Sequence, residues 1–196
     1  MRHTCGGIIL AGGLNTRMGG KNKAFLMVGG KSILESLYGV FKELFEDIVL
    51  VSNSPQEYLA WDLNIVTDLL PVRSSLTGIH AGLFHIATPH AFVAACDMPF
   101  LKSELVKVLL SQVGPKWDVV IPVTEAGYQP LCAVYSKRCI QPIERQLKQG
   151  GAKIADFFSQ VRVKEIPEDQ LRKADPELVS FLNVNTPEDL AGLESS

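Results

Sequence analysis

The sequence predicts a three-layer α/β/α fold, a doubly wound and mostly parallel sheet between two layers of helices. Three observations carry that expectation. Five short apolar runs read as strands covered on both faces, apolar residues at helical spacing fill the segments between them, and hydrogen-bonding caps open some of those segments. The first strand is expected at Gly7 to Leu10, where the apolar run stops at Gly12 and Gly13. Ser32-Ile33-Leu34-Glu35 is a capping box, and Leu34, Leu37, Tyr38, Phe41, Leu44 and Phe45 then recur on one helical face. Asp47 to Val51 and Asn64 to Thr67 supply the second and third strands, and a helix follows Thr77. Ala91 to Cys96 is the fourth strand, Ser103 to Leu110 the next helix, and Asp118 to Pro122 the fifth strand.

Beyond residue 128 the rhythm loosens. Leu131 to Tyr135 is apolar, Ile140 to Leu147 and Ile154 to Phe158 have helical spacing, Val161 to Ile166 reads as a short strand, and Phe181 to Val184 is a last apolar run. In "NTPEDL", Thr186 is an N-cap, Pro187 takes the first helical position and Asp189 closes the box.

The chain has 196 residues and 46% hydrophobic content, which is read as one domain over residues 1–196. Lysine and arginine number 19 against 21 acids, so a net charge of -2 provides no global field for nucleic acid or an anionic membrane surface. Any anion site must be local. Cys5, Cys96, Cys132 and Cys139 show no metal-ligand spacing and read as reduced thiols. The apolar stretch near the N-terminus is too short for a secretory signal, and no segment reaches the roughly 18 apolar residues of a membrane span. The expected location is cytoplasmic.

"IILAGGLNTRMGGKNKAFL", residues 8–26, concentrates glycine and positive charge at the carboxyl end of the first strand, where ligands bind in open parallel sheets. It matches neither G-x-G-x-x-G nor a P-loop. The physical content is still that of a polyphosphate site: glycines let main-chain amides approach phosphate oxygens, Arg17 can fork onto two of them, and Lys23 is a mobile point charge. A turn with a solvated basic loop is the plainer alternative. In "AACDMPF", residues 94–100, Asp97 follows directly on a strand and Pro99 stops the chain from continuing as strand or helix. That holds a carboxylate at the same sheet edge, where Mg²⁺ could share it with phosphate oxygens. The alternative is a cap for the helix near Ser103. Asn53 and Asp68 end the second and third strands in the same manner, as ligand groups or as turn residues.

These segments resemble the molybdenum cofactor guanylyltransferase (MobA) family of nucleotidyltransferases. "LAGGLNTRMGGKNKAFL" is similar to its L-A-G-G-x-S-x-R-M-G-x-x-K loop and "CDMPF" to its C-D-x-P segment, and the likeness runs through "SLTGIHAGL", "GYQPLCAVY", "KIADFF" and "FLNVNTPEDL". It covers nearly the whole chain. The resemblance implies a nucleotide-diphospho-sugar transferase type of Rossmann-like sheet, with GTP and molybdopterin, or its molybdenum-bound form, as substrates and Mg²⁺ as cofactor. It implies that Leu10, Ala11, Gly12 and Gly13 line the GTP site, Arg17 and Lys23 hold the phosphates, Asn53 and Asp68 lie near guanine or ribose, Asp97 binds Mg²⁺, and Asn183 and Asn185 face the pterin. Proteins that build and insert the molybdenum cofactor are the implied partners.

The chain departs from the family pattern at three places. Asn15 replaces a loop serine; "SSLTG" at residues 74–78 replaces G-P-L-A-G near the base and leaves guanine against cytosine open; Lys153 replaces an arginine. Val51 and Asn53 compete for the position of the family's second-strand asparagine. An ionised phosphate nucleophile needs little help from a base, so His80, His85 and Cys96 are read as packing residues. A transferase using CTP or another NTP with a different phosphorylated acceptor, and a non-catalytic GTP-binding accessory factor, are the alternative functions.

Overall fold

The computed structural model describes residues 5–12 and 22–184. In chain order its main elements are β1 (Cys5–Leu10), the hairpin strands β2 (Met27–Val28) and β3 (Lys31–Ser32), α1 (Ile33–Leu44), β4 (Ile48–Val51), β5 (Asn64–Val66), α2 (Ser75–His85), β6 (His90–Ala95), α3 (Ser103–Ser111), β7 (Val119–Thr124), β8 (Gly127–Tyr128), β9 (Cys132–Ser136), α4 (Ile140–Lys148), β10 (Val163–Pro167) and α5 (Glu168–Leu171).

Among the described residues the main sheet runs β10-β7-β9-β6-β1-β4-β5, with β8 paired to β7. β1 is parallel to both β4 and β6, β4 to β5, and β7 to β10. The chain steps outward from β1 through β4 to β5, then returns to the other side of β1 as β6. That reversal of direction makes the crevice in which open α/β sheets bind ligands. β9 is antiparallel to both β6 and β7, and β8 to β7, so the loosened rhythm after residue 128 is a change of strand direction.

Alternate residues of each strand feed two cores. Ile9, Leu50 and Phe92 pack with Leu34, Leu37 and Phe41 of α1 and Leu105 and Leu109 of α3 on one face. Ile8, Val49 and Val93 pack with Leu76, Ile79 and Leu83 of α2 and Ile143 and Leu147 of α4 on the other. The capping box of α1 forms as read: the Ser32 hydroxyl accepts from the Glu35 N–H at 3.2 Å and the Glu35 carboxylate from the Ser32 N–H at 2.6 Å. Two glycines set how closely the helices approach β1. A Cβ on Gly7 would stand 2.5 Å from the Phe41 ring, and one on Gly82 2.6 Å from Ile8.

Some sequence expectations need correction. The helical stretch expected at Ile154 to Phe158 forms as a 3₁₀ helix and runs on to Gln160, and the fifth strand runs on to Thr124. Residues 27–32 form a β-hairpin that strand periodicity did not indicate, turning on Gly29 and Gly30, both at positive φ (58° and 83°). Near the C-terminus, the fully buried Asp175 pairs with Lys102 at 2.9 Å and accepts the Ser180 N–H at 2.8 Å. This straps the segment after α5 onto the start of α3.

Candidate active site

The carboxyl edge of the sheet assembles from backbone register. Leu10 pairs with Ala95, the Cys96 N–H donates to the Leu10 carbonyl at 2.9 Å, and the Ala11 N–H donates to the Val51 carbonyl at 2.9 Å. Gly12 and Asp97 therefore leave the sheet side by side, from strands about 4.8 Å apart. Asp97 does not cap α3, whose N-cap position is held by Lys102. Its carbonyl instead accepts the Val184 N–H at 2.9 Å, which brings Asn183, exposed, to the same edge.

The Asp97 carboxyl is half-buried and its Oδ1 is buried with no hydrogen-bond partner among the described residues. Burial pushes its pKa above the ordinary carboxylate value, while the nearby Lys23 ammonium and a backbone hydrogen bond pull it back. A desolvated, unpaired carboxylate oxygen is costly unless something positive meets it. Among the described residues no group of three or more His, Cys, Asp or Glu gathers around it. This donor set fits Mg²⁺ brought with a phosphate chain, since that ion takes one or two carboxylates and completes its shell with phosphate and water.

Beside this edge lies an open cleft of about 300 Å³. Leu10, Ala11 and Gly12 form one wall, and Ser52, Asn53 and Asp68 another. Asn53 and Asp68 bond to each other twice: Asn53 Nδ2 donates to Asp68 Oδ2 at 2.7 Å, and the Asp68 N–H donates to Asn53 Oδ1 at 3.2 Å. Between the two candidates of the second strand, Val51 is buried in the core and Asn53 is exposed to the cleft. The third wall is the entrance to α2, where the Ser74 hydroxyl accepts the Thr77 N–H at 3.1 Å. Ser74, Ser75 and Gly78 face the cleft, with Arg73 at its exposed rim. A Cβ on Gly78 would sit 3.2 Å from Leu10, so glycine there lets α2 lie against the end of β1.

The structure thus brings together Leu10, Ala11, Gly12, Lys23, Asn53, Asp68, Asp97 and Asn183 at one sheet edge. Gly13, Arg17, Asn185 and the helix expected from Thr186 lie outside the described residues. Lys153 is exposed, and its carbonyl accepts from Gln146 at 2.6 Å. His80 is buried and meets Glu144 at 3.0 Å, as suits a packing residue. His85, read the same way, is exposed and packs into neither core. Burial pushes the Cys96 thiol up to about 12, with the Asp97 charge adding to it, the environment of an inert thiol.

Sequence reasoning missed Asn22, Glu57, Tyr58 and Arg73. Asn22 caps the 3₁₀ turn Lys23–Phe25, its Oδ1 accepting the Ala24 N–H at 3.0 Å. Its Nδ2 donates to Glu57 Oε2 and to the Tyr58 hydroxyl, each at 2.6 Å, and that hydroxyl donates to the Ala11 carbonyl at 3.1 Å. The only local signal was the asparagine ahead of Lys23; the rest depends on contacts between residues far apart in sequence.

The family model described as the MobA-like NTP transferase domain matches residues 7–164. The molybdenum cofactor guanylyltransferase of Desulfosudis oleivorans is 45% identical over 190 residues, covering 97% of this chain and 94% of that protein. The crystal structure of molybdopterin-guanine dinucleotide biosynthesis protein A from Archaeoglobus fulgidus is similar with a TM-score of 0.82 and 33% identity, covering 96% of each chain. The 2-C-methyl-D-erythritol 4-phosphate cytidylyltransferase of Thermus thermophilus shares the fold, with a TM-score of 0.68 and 16% identity over 96% of this chain and 97% of that one. On a match through both strands that lead into Gly12 and Asp97, and a relative 45% identical along nearly the whole length, the chain belongs to the MobA-like NTP transferase family.

Proposed function

We propose that this chain is a molybdenum cofactor guanylyltransferase, transferring GMP from GTP to the terminal phosphate of molybdopterin and releasing pyrophosphate. The observation that carries the reading is the emergence of Gly12 and Asp97 from adjacent strand ends, with Asp97 Oδ1 buried and without a hydrogen-bond partner among the described residues, beside a cleft of nucleoside size. The relatives' names supply the nucleotide and the acceptor.

In the reaction, a terminal phosphate oxygen of molybdopterin forms a bond to the α-phosphorus of GTP as the bond from that phosphorus to the oxygen bridging to the β-phosphorus breaks. The leaving pyrophosphate carries the electron pair. The nucleophile is already ionised, so no side chain has to remove a proton, and catalysis rests on placement and charge. Asn53 and Asp68 orient the nucleoside in the cleft, the Gly12 amide and Lys23 hold the phosphate chain, and Asn183 lies where the acceptor approaches. Asp97 would hold Mg²⁺, whose charge, when bound, offsets that of the phosphate oxygens.

Purified protein given molybdopterin with GTP, CTP or ATP in separate reactions tests this. Mg²⁺-dependent pyrophosphate release with GTP far above the other two is the expected result. Faster release with CTP would reassign the chain to cytidylyl transfer, and GTP binding without release would make it an accessory factor.

A further inference from the structure

We propose that Tyr58 is a positioning residue for two phosphate-binding groups, the Gly12 amide and the Lys23 ammonium, its hydroxyl tying Ala11 to Asn22. The inference rests on the reading of this sheet edge as a triphosphate site. The hydroxyl uses both of its functions: it donates to the Ala11 carbonyl at the end of β1 and accepts from Asn22 Nδ2 at the start of the Lys23 turn. Asn22 is used as fully, since its second amide hydrogen goes to Glu57 and its Oδ1 caps Ala24. The Tyr58 side chain is fully buried, with its ring centroid 5.3 Å from that of Phe25. Burial pushes its pKa to about 12, so the hydroxyl stays protonated and remains a donor at any working pH.

Two consequences follow from peptide geometry and electrostatics. A trans peptide holds its C=O and N–H antiparallel, so fixing the Ala11 carbonyl on Tyr58 turns the Gly12 N–H away from Tyr58. Gly12 lines the cleft, and its amide is thereby fixed in a stated direction before a ligand arrives. At the other end, holding Asn22 holds the turn that carries Lys23, whose ammonium acts on Asp97. One hydroxyl therefore sets the separation between an amide donor and a cation that must meet the same phosphate chain. Such pre-placement matters because a misplacement of about 1 Å can cost about 10²-fold in rate. Tyr58 touches neither reacting atom; it acts through Ala11 and Asn22.

Tyr58→Phe keeps the ring against Phe25 and removes only the hydroxyl. The readout is the ratio of GTP to guanosine affinity, measured by calorimetry with Mg²⁺ and without acceptor, together with thermal unfolding and steady-state turnover. Loss of positioning weakens GTP about tenfold and leaves guanosine within twofold, and kcat/KM falls by about 10²-fold. A role confined to stability lowers the unfolding temperature but leaves that affinity ratio at its wild-type value, which would overturn the proposal. Should Tyr58→Phe not fold, Asn22→Ser, which retains a capping oxygen but cannot reach both partners, reads the same ratio with the same two outcomes. Wild-type protein that binds GTP no more tightly than guanosine would overturn the triphosphate reading itself, and the positioning role with it. A wild-type preference for GTP that survives in the variants would overturn Tyr58 alone.

Discussion

Asn53 and Asp68 hold each other through two hydrogen bonds at the mouths of the paired strands β4 and β5, one between side chains at 2.7 Å and one from the Asp68 backbone at 3.2 Å. Each fixes the other's rotamer, so the pair presents a rigid polar wall to the cleft. If the wall binds the nucleoside equally in ground and transition states, Asp68→Ala raises the KM for GTP about tenfold with kcat little changed. Because the two residues act as a unit, Asn53→Ala with Asp68→Ala costs no more than the worse single change. Steady-state kinetics on the three variants checks this, and strictly additive losses would contradict it.

Gly82 faces Ile8 across the contact between α2 and β1, with room for no side chain: an added Cβ would come within 2.6 Å of Ile8, which is fully buried. Alanine usually favours a helix over glycine, yet here overpacking decides the sign. Gly82→Ala is expected to destabilise the fold by about 1–3 kcal/mol, read as a lower thermal midpoint of about 2–4 °C per kcal/mol. An unchanged or higher midpoint would contradict the packing argument.

Asp118 joins the opposite end of the sheet. It is buried, and pairs with Arg138 and, at 3.0 Å, with Arg162. Burial alone would raise its pKa, but hydrogen bonds from the Arg162 side chain and backbone and from Arg138 outweigh it and hold the carboxyl at about 2. A folded pKa depressed below the unfolded value contributes stability that is present above about pH 4 and lost as pH falls toward 2. The contribution is about 2 kcal/mol. Urea unfolding of wild type and Asp118→Asn is therefore expected to show a stability gap at pH 6 that closes between pH 4 and pH 2. A gap independent of pH would remove the carboxylate from the account.

What the sequence made legible follows the range of the interactions involved. β1, β4 and β6 are buried on both faces and stand out as apolar runs, and the direction they share with the half-exposed edge strand β5 puts the four ends at one edge. Asp97 was readable because strand and proline together pin it there. β9 was readable as an apolar run but not as antiparallel, since Cys132–Ser136 would look the same in either direction; its partners His90–Ala95 and Val119–Val120 decide. Ile154, Phe157 and Phe158 have helical spacing, yet the segment closes as 3₁₀ turns around the buried Phe157. The hairpin turning on Gly29-Gly30 had a signal in those two glycines that its two-residue strands were too short to reinforce. Tyr58 could not be read at all, because its partner Ala11 is 47 residues away.

The most direct test of the account is the turnover of Asp97→Asn with GTP, molybdopterin and saturating Mg²⁺. Amide for carboxylate keeps the size and removes the charge at an oxygen that is buried without a hydrogen-bond partner among the described residues. Removing one preorganised charge stabiliser costs about 10²–10³-fold in kcat, and that is the expected loss. Turnover within about threefold of wild type would show that the reaction does not pass through Asp97.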